Sequence, residues 1–112
     1  MIERRHDHKV IVYKKRLYVF GGLGRDGPLN SVEMYSEKTN KFVKMAPMKN
    51  ARYGFSCCRV GKLVYVFSGW IENNRTESVE VYDLDSNTWT DGVDFPGPGV
   101  TLHACVVNNK LN

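Results

Sequence analysis

At 112 residues the chain holds one domain at most, and its net charge of +4 comes from 16 basic and 12 acidic residues. Charges of both signs alternate along the chain, whereas a nucleic-acid binder concentrates its lysines and arginines in a stripe. No apolar run reaches the length that spans a bilayer, so we expect neither nucleic acid nor a membrane as a partner.

The three cysteines indicate a reducing compartment. Their number is odd, and the neighbours Cys57 and Cys58 point to opposite faces of a predicted strand, so we interpret them and Cys105 as free, buried thiols. No secretory signal precedes the first predicted strand, and the localisation predicted from these observations is cytoplasmic. The sequence contains no paired C-x-x-C or C-x-x-H groups, so no metal site and no cofactor are predicted.

Four strands are predicted in the first part of the chain, and no stretch has a helical period. They are His8–Tyr13, Leu17–Phe20, Val32–Tyr35 and a strand that carries Phe42. Apolar, β-branched and aromatic residues dominate these runs, as expected for strands in a packed sheet. The third strand alternates apolar residues with Glu33, which predicts a half-exposed strand.

The only basic run of the chain, Lys14-Lys15-Arg16, falls on the turn between the first two strands. Short polar turns between antiparallel strands are normally solvated. We therefore interpret this run as a solvated turn, and a phosphate-binding patch is the alternative.

The same order of strands returns 47 residues later, as the step from Tyr18 to Tyr65 shows. The predicted strands of this second unit are Phe55–Val60, Val64–Phe67, Val79–Tyr82 and a strand that carries Trp89. A repeat of about 40–50 residues with four strands per unit is typical of propeller blades. The sequence therefore predicts an all-β fold of consecutive four-stranded antiparallel blades.

The period divides the chain into a first repeat at 1–51, a second at 52–98 and the truncated start of a third at 99–112. Closed propellers need about four to eight blades. We therefore interpret the chain as about two and a half blades of a longer protein. The alternative is a natural short chain that closes a ring by association of subunits.

Two sets of residues resemble a known repeat. Each set has an apolar run that leads into a glycine pair, then a tyrosine and a larger aromatic residue. The first set is Tyr18–Gly22, Tyr35 and Phe42. The second is Tyr65–Gly69, Tyr82 and Trp89. This pattern resembles the kelch repeat, and the resemblance implies a partial kelch-type β-propeller. Phe42 in place of tryptophan and Ser68 in place of the first glycine depart from the kelch pattern.

The linker between the two units resembles linkers of one group of kelch proteins, and this resemblance bears on function. Met45–Met48, followed by Arg52-Tyr53-Gly54, is similar to linkers of kelch proteins whose repeats follow a BTB domain. This similarity implies substrate recognition for a cullin-3 ubiquitin ligase, with cullin-3 bound through domains outside this sequence. The alternative is an actin-binding or cytoskeletal scaffold. No G-x-S-x-G, phosphate loop or H-E-x-x-H motif occurs, so we expect no catalytic residues and no enzyme.

Arg5 and Arg52 occupy equivalent positions before the first strand of each unit. A guanidinium group can hold a carboxylate through two hydrogen bonds. The kelch resemblance implies that arginines at this place reach the central opening of the ring and bind acidic groups of a peptide. The alternative for Arg52 is pairing with a nearby carboxylate or stacking on Tyr53.

The loops after the second strand of each unit supply further candidates for protein binding. They are Arg25 in the first loop and Trp70, Glu72, Asn73 and Asn74 in the second. Trp70 is the most specific of these residues, because a tryptophan at an interface can anchor a partner. Its alternative role is packing on the adjacent loop.

Overall fold

Short β-strands make up the regular secondary structure of the computed structural model, which describes residues 1–71, 73–76 and 78–92. The first unit contains β1 (Lys9–Tyr13), β2 (Arg16–Phe20), β3 (Leu23–Gly24), β4 (Gly27–Pro28), β5 (Val32–Ser36) and β6 (Lys41–Met45). The second contains β7 (Ser56–Val60), β8 (Leu63–Phe67), β9 (Trp70–Ile71), β10 (Asn74–Arg75), β11 (Val79–Asp83) and β12 (Thr88–Asp91).

Each unit is a four-stranded antiparallel sheet whose long strands are neighbours in chain order. The first sheet has the order β1-β2-β5-β6, and the second is β7-β8-β11-β12. The predicted all-β fold of consecutive four-stranded blades is confirmed. The six strands whose two ends were predicted are observed with differences of one residue at an end.

Two small hairpins, β3–β4 and β9–β10, were predicted only as loops. Each arm has two residues, which is too short for an apolar period to be visible in the sequence. Both hairpins lie between the second and third long strands of their unit. They therefore extend the same end of both sheets.

The main core lies between the two sheets. Tyr18 and Phe20 of the first sheet and Val64 and Tyr82 of the second are at most 1% exposed. The Phe20 and Tyr82 rings meet edge to face, with centroids 5.6 Å apart at 77°. Burying one aromatic side chain contributes roughly 4–6 kcal/mol before entropy costs are subtracted, so this contact between sheets is a large part of what holds the units together.

Trp89 anchors β12, the outermost strand of the second sheet, to the core, as predicted for the aromatic residue of this strand. Its ring centroid lies 4.8 Å from that of Tyr82 and 6.1 Å from that of Phe20. The indole N–H donates to the carbonyl oxygen of Ala46 at 2.7 Å. The side chain thus joins the outer strand to the core and to the segment that connects the units.

The turns between the third and fourth long strands use asparagine in the left-handed conformation. Asn40 has φ 55° and Asn87 has φ 56°, a conformation that asparagine adopts more readily than most residues other than glycine. The amide nitrogens of Asn40 and Asn87 donate to the carbonyl oxygens of Ser36 and Asp83 at 2.7 and 2.9 Å. Tyr82, whose phenol donates to the Asn87 side chain, has its pKa raised by burial.

The cysteines differ from the expectation of free thiols. Cys57 is free, and burial raises the pKa of its thiol to about 12. Cys58, in contrast, is disulfide-bonded, so the expectation was wrong for this residue. Cys105 lies outside the described residues.

The end of the predicted second repeat, from residue 93, and the predicted third repeat at 99–112 lie outside the described residues. The repeat boundaries therefore stay predictions. Within the described part of the chain, no helix has the length and apolar character needed to cross a bilayer.

A substitution of Gly69 tests how tightly the start of the second hairpin fits its neighbours. A Cβ on Gly69 would lie 2.6 Å from the Phe55 Cβ and 2.8 Å from the Tyr53 carbonyl oxygen. We expect Gly69→Ala to lower the free energy of unfolding by about 3 kcal/mol, because it adds a clash to a backbone held at φ 85°. Urea unfolding followed by tryptophan fluorescence measures the loss.

Gly61→Ala is the matched control. Gly61 also has a positive φ, 61°, but nothing lies within 4 Å of the added Cβ, so only the backbone strain of about 1 kcal/mol applies. Equal losses for the two variants would contradict the packing argument.

Candidate functional site

The loops at one end of the two sheets form a continuous surface, which we call the loop face. It consists of residues 1–8, the hairpin β3–β4, the linker 46–54 and the hairpin β9–β10. Six predicted binding residues lie in it, namely Arg5, Arg25, Arg52, Trp70, Asn73 and Asn74. The seventh, Glu72, lies outside the described residues.

Backbone hydrogen bonds fix each small hairpin to the segment that precedes its own sheet. The amide of His6 donates to the Leu23 carbonyl at 3.1 Å, and the amide of Leu23 donates back at 2.7 Å. Tyr53 and Trp70 form the equivalent pair at 3.1 and 2.9 Å. The two hairpins therefore have the same attachment, 47 residues apart.

Further backbone hydrogen bonds cross between the two units. The Gly22 amide donates to the Arg52 carbonyl at 2.9 Å, and the Arg52 amide donates to the Leu29 carbonyl at 3.1 Å. The Gly54 amide donates to the Asp7 carbonyl at 3.2 Å. Because the linker is bound to loops of both units, the loop face is held as one surface.

The Arg52 side chain is fully buried and belongs to the interior of the second unit. Its Nη1 donates to the carbonyl oxygens of Ser68 and Ser78 at 3.2 and 3.0 Å. Its Nη2 donates to the Ser78 hydroxyl at 2.9 Å and to the Glu80 carboxylate at 2.7 Å. Arg52 therefore joins the linker to the ends of β8 and β11.

Arg5 repeats this arrangement in the first unit. It donates to the carbonyl oxygens of Gly21 and Ser31 at 2.9 and 3.1 Å, to the Ser31 hydroxyl at 3.0 Å and to the Glu33 carboxylate. Every partner is the residue 47 positions before the corresponding partner of Arg52. The ion pair is thus a property of the repeated unit.

The two glutamates also bind backbone. Glu80 accepts hydrogen bonds from the amides of Lys49 and Asn50 at 2.6 and 3.4 Å. Glu33 accepts the equivalent bonds from the amides of Ile2 and Glu3. Because a buried carboxylate is stable only when its acceptor sites are filled, these amides and the arginine together make the burial possible.

This geometry corrects the expectation that Arg5 and Arg52 present their guanidinium groups to an acidic peptide. Arg52 is 0% exposed, and both its terminal nitrogens already donate to oxygens of the same unit. The alternative, pairing with a nearby carboxylate, is what the structure shows. The strand that was predicted to be half-exposed has buried and partly exposed residues, but Glu33, its polar residue, is 0% exposed.

Trp70 lies at the start of the second hairpin and packs partly on the linker, which is the alternative role considered for it. One edge of its ring lies against Gly54 of the linker, where an added Cβ would be 3.6 Å from Cδ1. The Arg75 guanidinium lies 5.9 Å from the ring centroid. The side chain is still 38% exposed, so part of the ring remains available on the loop face.

An open groove of about 940 Å³ runs between residues 3–6 and the first hairpin. Arg4 lines one side and Arg25, at the tip of the β3–β4 hairpin, lines the other; both are exposed. Leu29 contributes apolar surface, and Glu3 and Asp26 contribute carboxylates. Neither Arg4 nor Arg25 forms an ion pair within the described part of the chain. Asn73 and Asn74 are exposed on the second hairpin.

Two titratable groups near the groove have shifted pKa values. The Ser31 hydroxyl donates to Glu3 at 2.7 Å and lowers the pKa of that carboxyl, with Lys44 at 3.5 Å adding to the effect. Burial lowers the pKa of His8, and the nearby Arg5 charge lowers it further. At neutral pH, Glu3 is therefore ionised and His8 is neutral.

Among the described residues, no group of three or more histidine, cysteine, aspartate or glutamate side chains is arranged to hold a metal ion. The chemistry that the loop face offers is hydrogen bonding, ion pairing and aromatic contact. These are the interactions of a binding surface.

Comparison with known proteins decides the family. The model of the KLHDC2/KLHL20/DRC7 Kelch-repeats domain matches residues 1–111. The chain belongs to the kelch-repeat family. Domains of this family are generally non-enzymatic protein–protein interaction modules, and the kelch resemblance of the sequence is confirmed.

Three relatives illustrate the similarity. Kelch-like protein 40 of Xenopus laevis is 28% identical over 95% of this chain and 17% of its own length. Kelch repeat and BTB domain-containing protein 12 of Danio rerio is 31% identical over 93% of this chain and 20% of its own. Human Kelch-like protein 28 is 33% identical over 99% of this chain and 22% of its own. The chain therefore spans about a fifth of the length of these relatives.

Removing the Arg52 side chain tests its structural role. We expect Arg52→Ala to lower the free energy of unfolding by about 3–5 kcal/mol, because the Glu80 carboxylate is left buried without its cation. Adding Glu80→Gln to this variant removes the unpaired charge and should restore part of the loss. Urea unfolding measures all three proteins.

Arg25→Ala is the control for this experiment. Arg25 is exposed and makes no ion pair within the described part of the chain, so its loss should change stability by less than about 0.5 kcal/mol. A stable Arg52→Ala variant would show that the buried ion pair does not hold the linker.

Proposed function

We propose that the loop face binds an extended, acidic segment of a protein substrate, and that the protein acts as a BTB-kelch adaptor of a cullin-3 ubiquitin ligase. The observation that carries the first half of the proposal is the groove of about 940 Å³ beside the β3–β4 hairpin. Its volume is near the upper end of the range of roughly 300–1,000 Å³ that ligand-binding pockets have. It is bordered by the exposed side chains of Arg4 and Arg25.

The rigidity of the loop face supports a recognition role. Its hairpins are fixed by backbone hydrogen bonds to the segments before both sheets, and these segments are fixed by the buried pairs Arg5–Glu33 and Arg52–Glu80. A surface that is ordered before binding loses less entropy when a partner docks. Trp70, on the other hairpin of the loop face and 38% exposed, provides an aromatic anchor for the same partner.

The names of the relatives support the second half. One of them is a kelch repeat and BTB domain-containing protein, and the others are kelch-like proteins. Because this chain spans about a fifth of such proteins, the ligase contact would be made outside the described residues. The adaptor role is thus proposed from family membership and the substrate role from the groove.

The adaptor role is tested by affinity capture of the protein, tagged at its own locus, from the cells that express it. We expect cullin-3 among the captured proteins. Capture of filamentous actin without cullin-3 would contradict the adaptor role and favour the cytoskeletal scaffold.

The substrate role is tested with loop-face variants and the partner recovered in that capture. We expect Arg25→Glu and Trp70→Ala each to weaken partner binding by about tenfold or more, because they remove a cation and an aromatic anchor from the surface. Surface plasmon resonance with immobilised partner measures the dissociation constants.

Lys62→Glu is the charge-matched control. Lys62 is exposed and lies at the opposite end of the strands, between β7 and β8, where it pairs with Asp83 at 3.4 Å. Its substitution should leave partner binding within about twofold, as expected for a residue outside the interface. If Lys62→Glu weakened binding as much as Arg25→Glu did, the effect would be one of net charge, and the groove would not be the site.

A further inference from the structure

The end of the first sheet opposite the loop face carries a second concave surface, which we call the basic corner. It is lined by Lys14, Lys15, Arg16, Ser36, Glu37 and Lys38, and its volume is about 420 Å³. These residues lie in the turn between β1 and β2, in the turn that follows β5, and at the adjoining ends of β2 and β5. The strands between the two ends have five residues, so the basic corner lies roughly 17 Å from the loop face.

Most of the positive charge of the basic corner is not neutralised. Lys14 pairs with Asp85 at 3.3 Å, and its ammonium group lies 5.1 Å from the Tyr13 ring centroid. Lys15, Arg16 and Lys38 make no ion pair within the described part of the chain. Three cations without an ion pair thus share the concavity with a single carboxylate, that of Glu37.

The turn that presents two of these cations is strained. Lys14 has φ 48° and Lys15 has φ 61°, and Tyr13 pairs directly with Arg16 across the turn. A two-residue hairpin loop with both φ values positive strongly prefers Asn-Gly or similar residues, because a longer side chain is strained there. Two consecutive lysines are therefore unfavourable for folding at this place.

The second unit shows that the fold does not need these cations. At the positions 47 residues later it has Gly61, Lys62, Leu63, Asp83, Leu84 and Asp85. Gly61 supplies the positive φ of the turn without a side chain, and Lys62 pairs with Asp83 at 3.4 Å. The same corner of the same architecture is thus neutral or acidic in one unit and strongly basic in the other.

The difference in charge between the two units extends over their whole length. The first 51 residues contain 11 basic and 5 acidic side chains, and residues 52–112 contain 5 basic and 7 acidic ones. The excess charge of the chain is therefore concentrated in the first unit. A basic surface that opposes both turn geometry and charge balance is explained most directly by an anionic ligand.

We propose that the basic corner binds a phosphate monoester carried on an extended segment of a protein partner. A phosphorylated side chain brings nearly two negative charges and three acceptor oxygens into a small volume, which suits several cations around one concavity. The Ser36 hydroxyl, on the strand residue directly opposite Arg16, adds a donor at the wall of the site. A protein segment is favoured as the carrier because kelch domains are protein-binding modules.

The binding test uses a fluorescein-labelled phosphoserine peptide, Gly-Ser-phosphoserine-Gly-Ser, and its unphosphorylated form. Fluorescence anisotropy with the purified protein should show the phosphorylated peptide binding about tenfold or more tightly, because only it offers the dianion. Inorganic phosphate should compete for the same site. Equal binding of the two peptides would overturn the proposal.

Charge-removing variants locate the site. We expect the double variant Lys15→Gln, Lys38→Gln to weaken phosphopeptide binding about tenfold or more, and Lys62→Gln to change it less than about twofold. If Arg25→Gln weakened it and the double variant did not, the phosphate site would lie on the loop face and the proposal would fail. Binding to phosphatidic acid vesicles without binding to the phosphopeptide would likewise overturn it in favour of a membrane surface.

A stability measurement separates a ligand site from a structural role. Replacing the turn by Lys14→Asn and Lys15→Gly relieves the strain of the positive φ values, so the urea midpoint should rise while phosphopeptide binding weakens. A lower midpoint in this variant would mean that the lysines serve folding, and the proposal would be wrong.

Discussion

A buried arginine–glutamate pair in each unit is the interaction on which the rest of the structure depends. Arg52 and Glu80 lie at the junction of the linker, the end of β8 and the start of β11, and Arg5 and Glu33 occupy the same junction one repeat earlier. Charges in such a place are costly to remove from water. They are tolerated here because backbone carbonyls, a serine hydroxyl and linker amides saturate almost all their hydrogen-bonding capacity.

These two ion pairs fix the position of the segments that precede the two sheets. Met48 fixes one point of the linker in the core, where it is 1% exposed, and polar interactions fix the backbone that follows it. Glu80 fixes the amides of residues 49 and 50, while the Arg52 backbone binds Gly22 and Leu29 of the preceding unit. Arg52 therefore binds the second unit through its side chain and the first unit through its main chain. The apolar contact of Phe20 with Tyr82 then closes the space between the sheets.

The sequence period predicted the fold well, because the strands and the turn asparagines repeat with the same step. Tyr18 and Tyr65, Asn40 and Asn87 occupy equivalent places, and predicted strand ends differ from the observed ones by one residue. The small hairpins could not be predicted, since two residues per arm carry no period.

The candidate site was harder to predict, and Arg52 shows why. The repeat identified the correct residue, but an arginine at the mouth of a ring and an arginine buried beneath it have the same sequence position. Glu80 would have distinguished the two, because it repeats Glu33 at the same step as Arg52 repeats Arg5. On a strand that alternates apolar and polar residues, however, a glutamate is normally expected to face solvent. Burial of an ion pair depends on contacts between segments about 28 residues apart, which periodicity does not record.

Positions outside the buried junction are those at which this protein can differ from its relatives without losing its fold. Residues whose backbone or charge is tied into the junction, such as Arg52, are constrained by the architecture. Residues such as Arg25 and Lys38 lie on turns whose shape is set by main-chain hydrogen bonds, so their side chains can change freely. A difference between the two units at an unconstrained position therefore reports on what each unit contacts. Lys14 and Lys15 of the first turn are not only unconstrained by the fold but unfavourable for it. They occupy backbone conformations that glycine would adopt at a lower cost in free energy. The two lysines therefore lower the stability of this turn, which supports the anion-binding role that we propose for them.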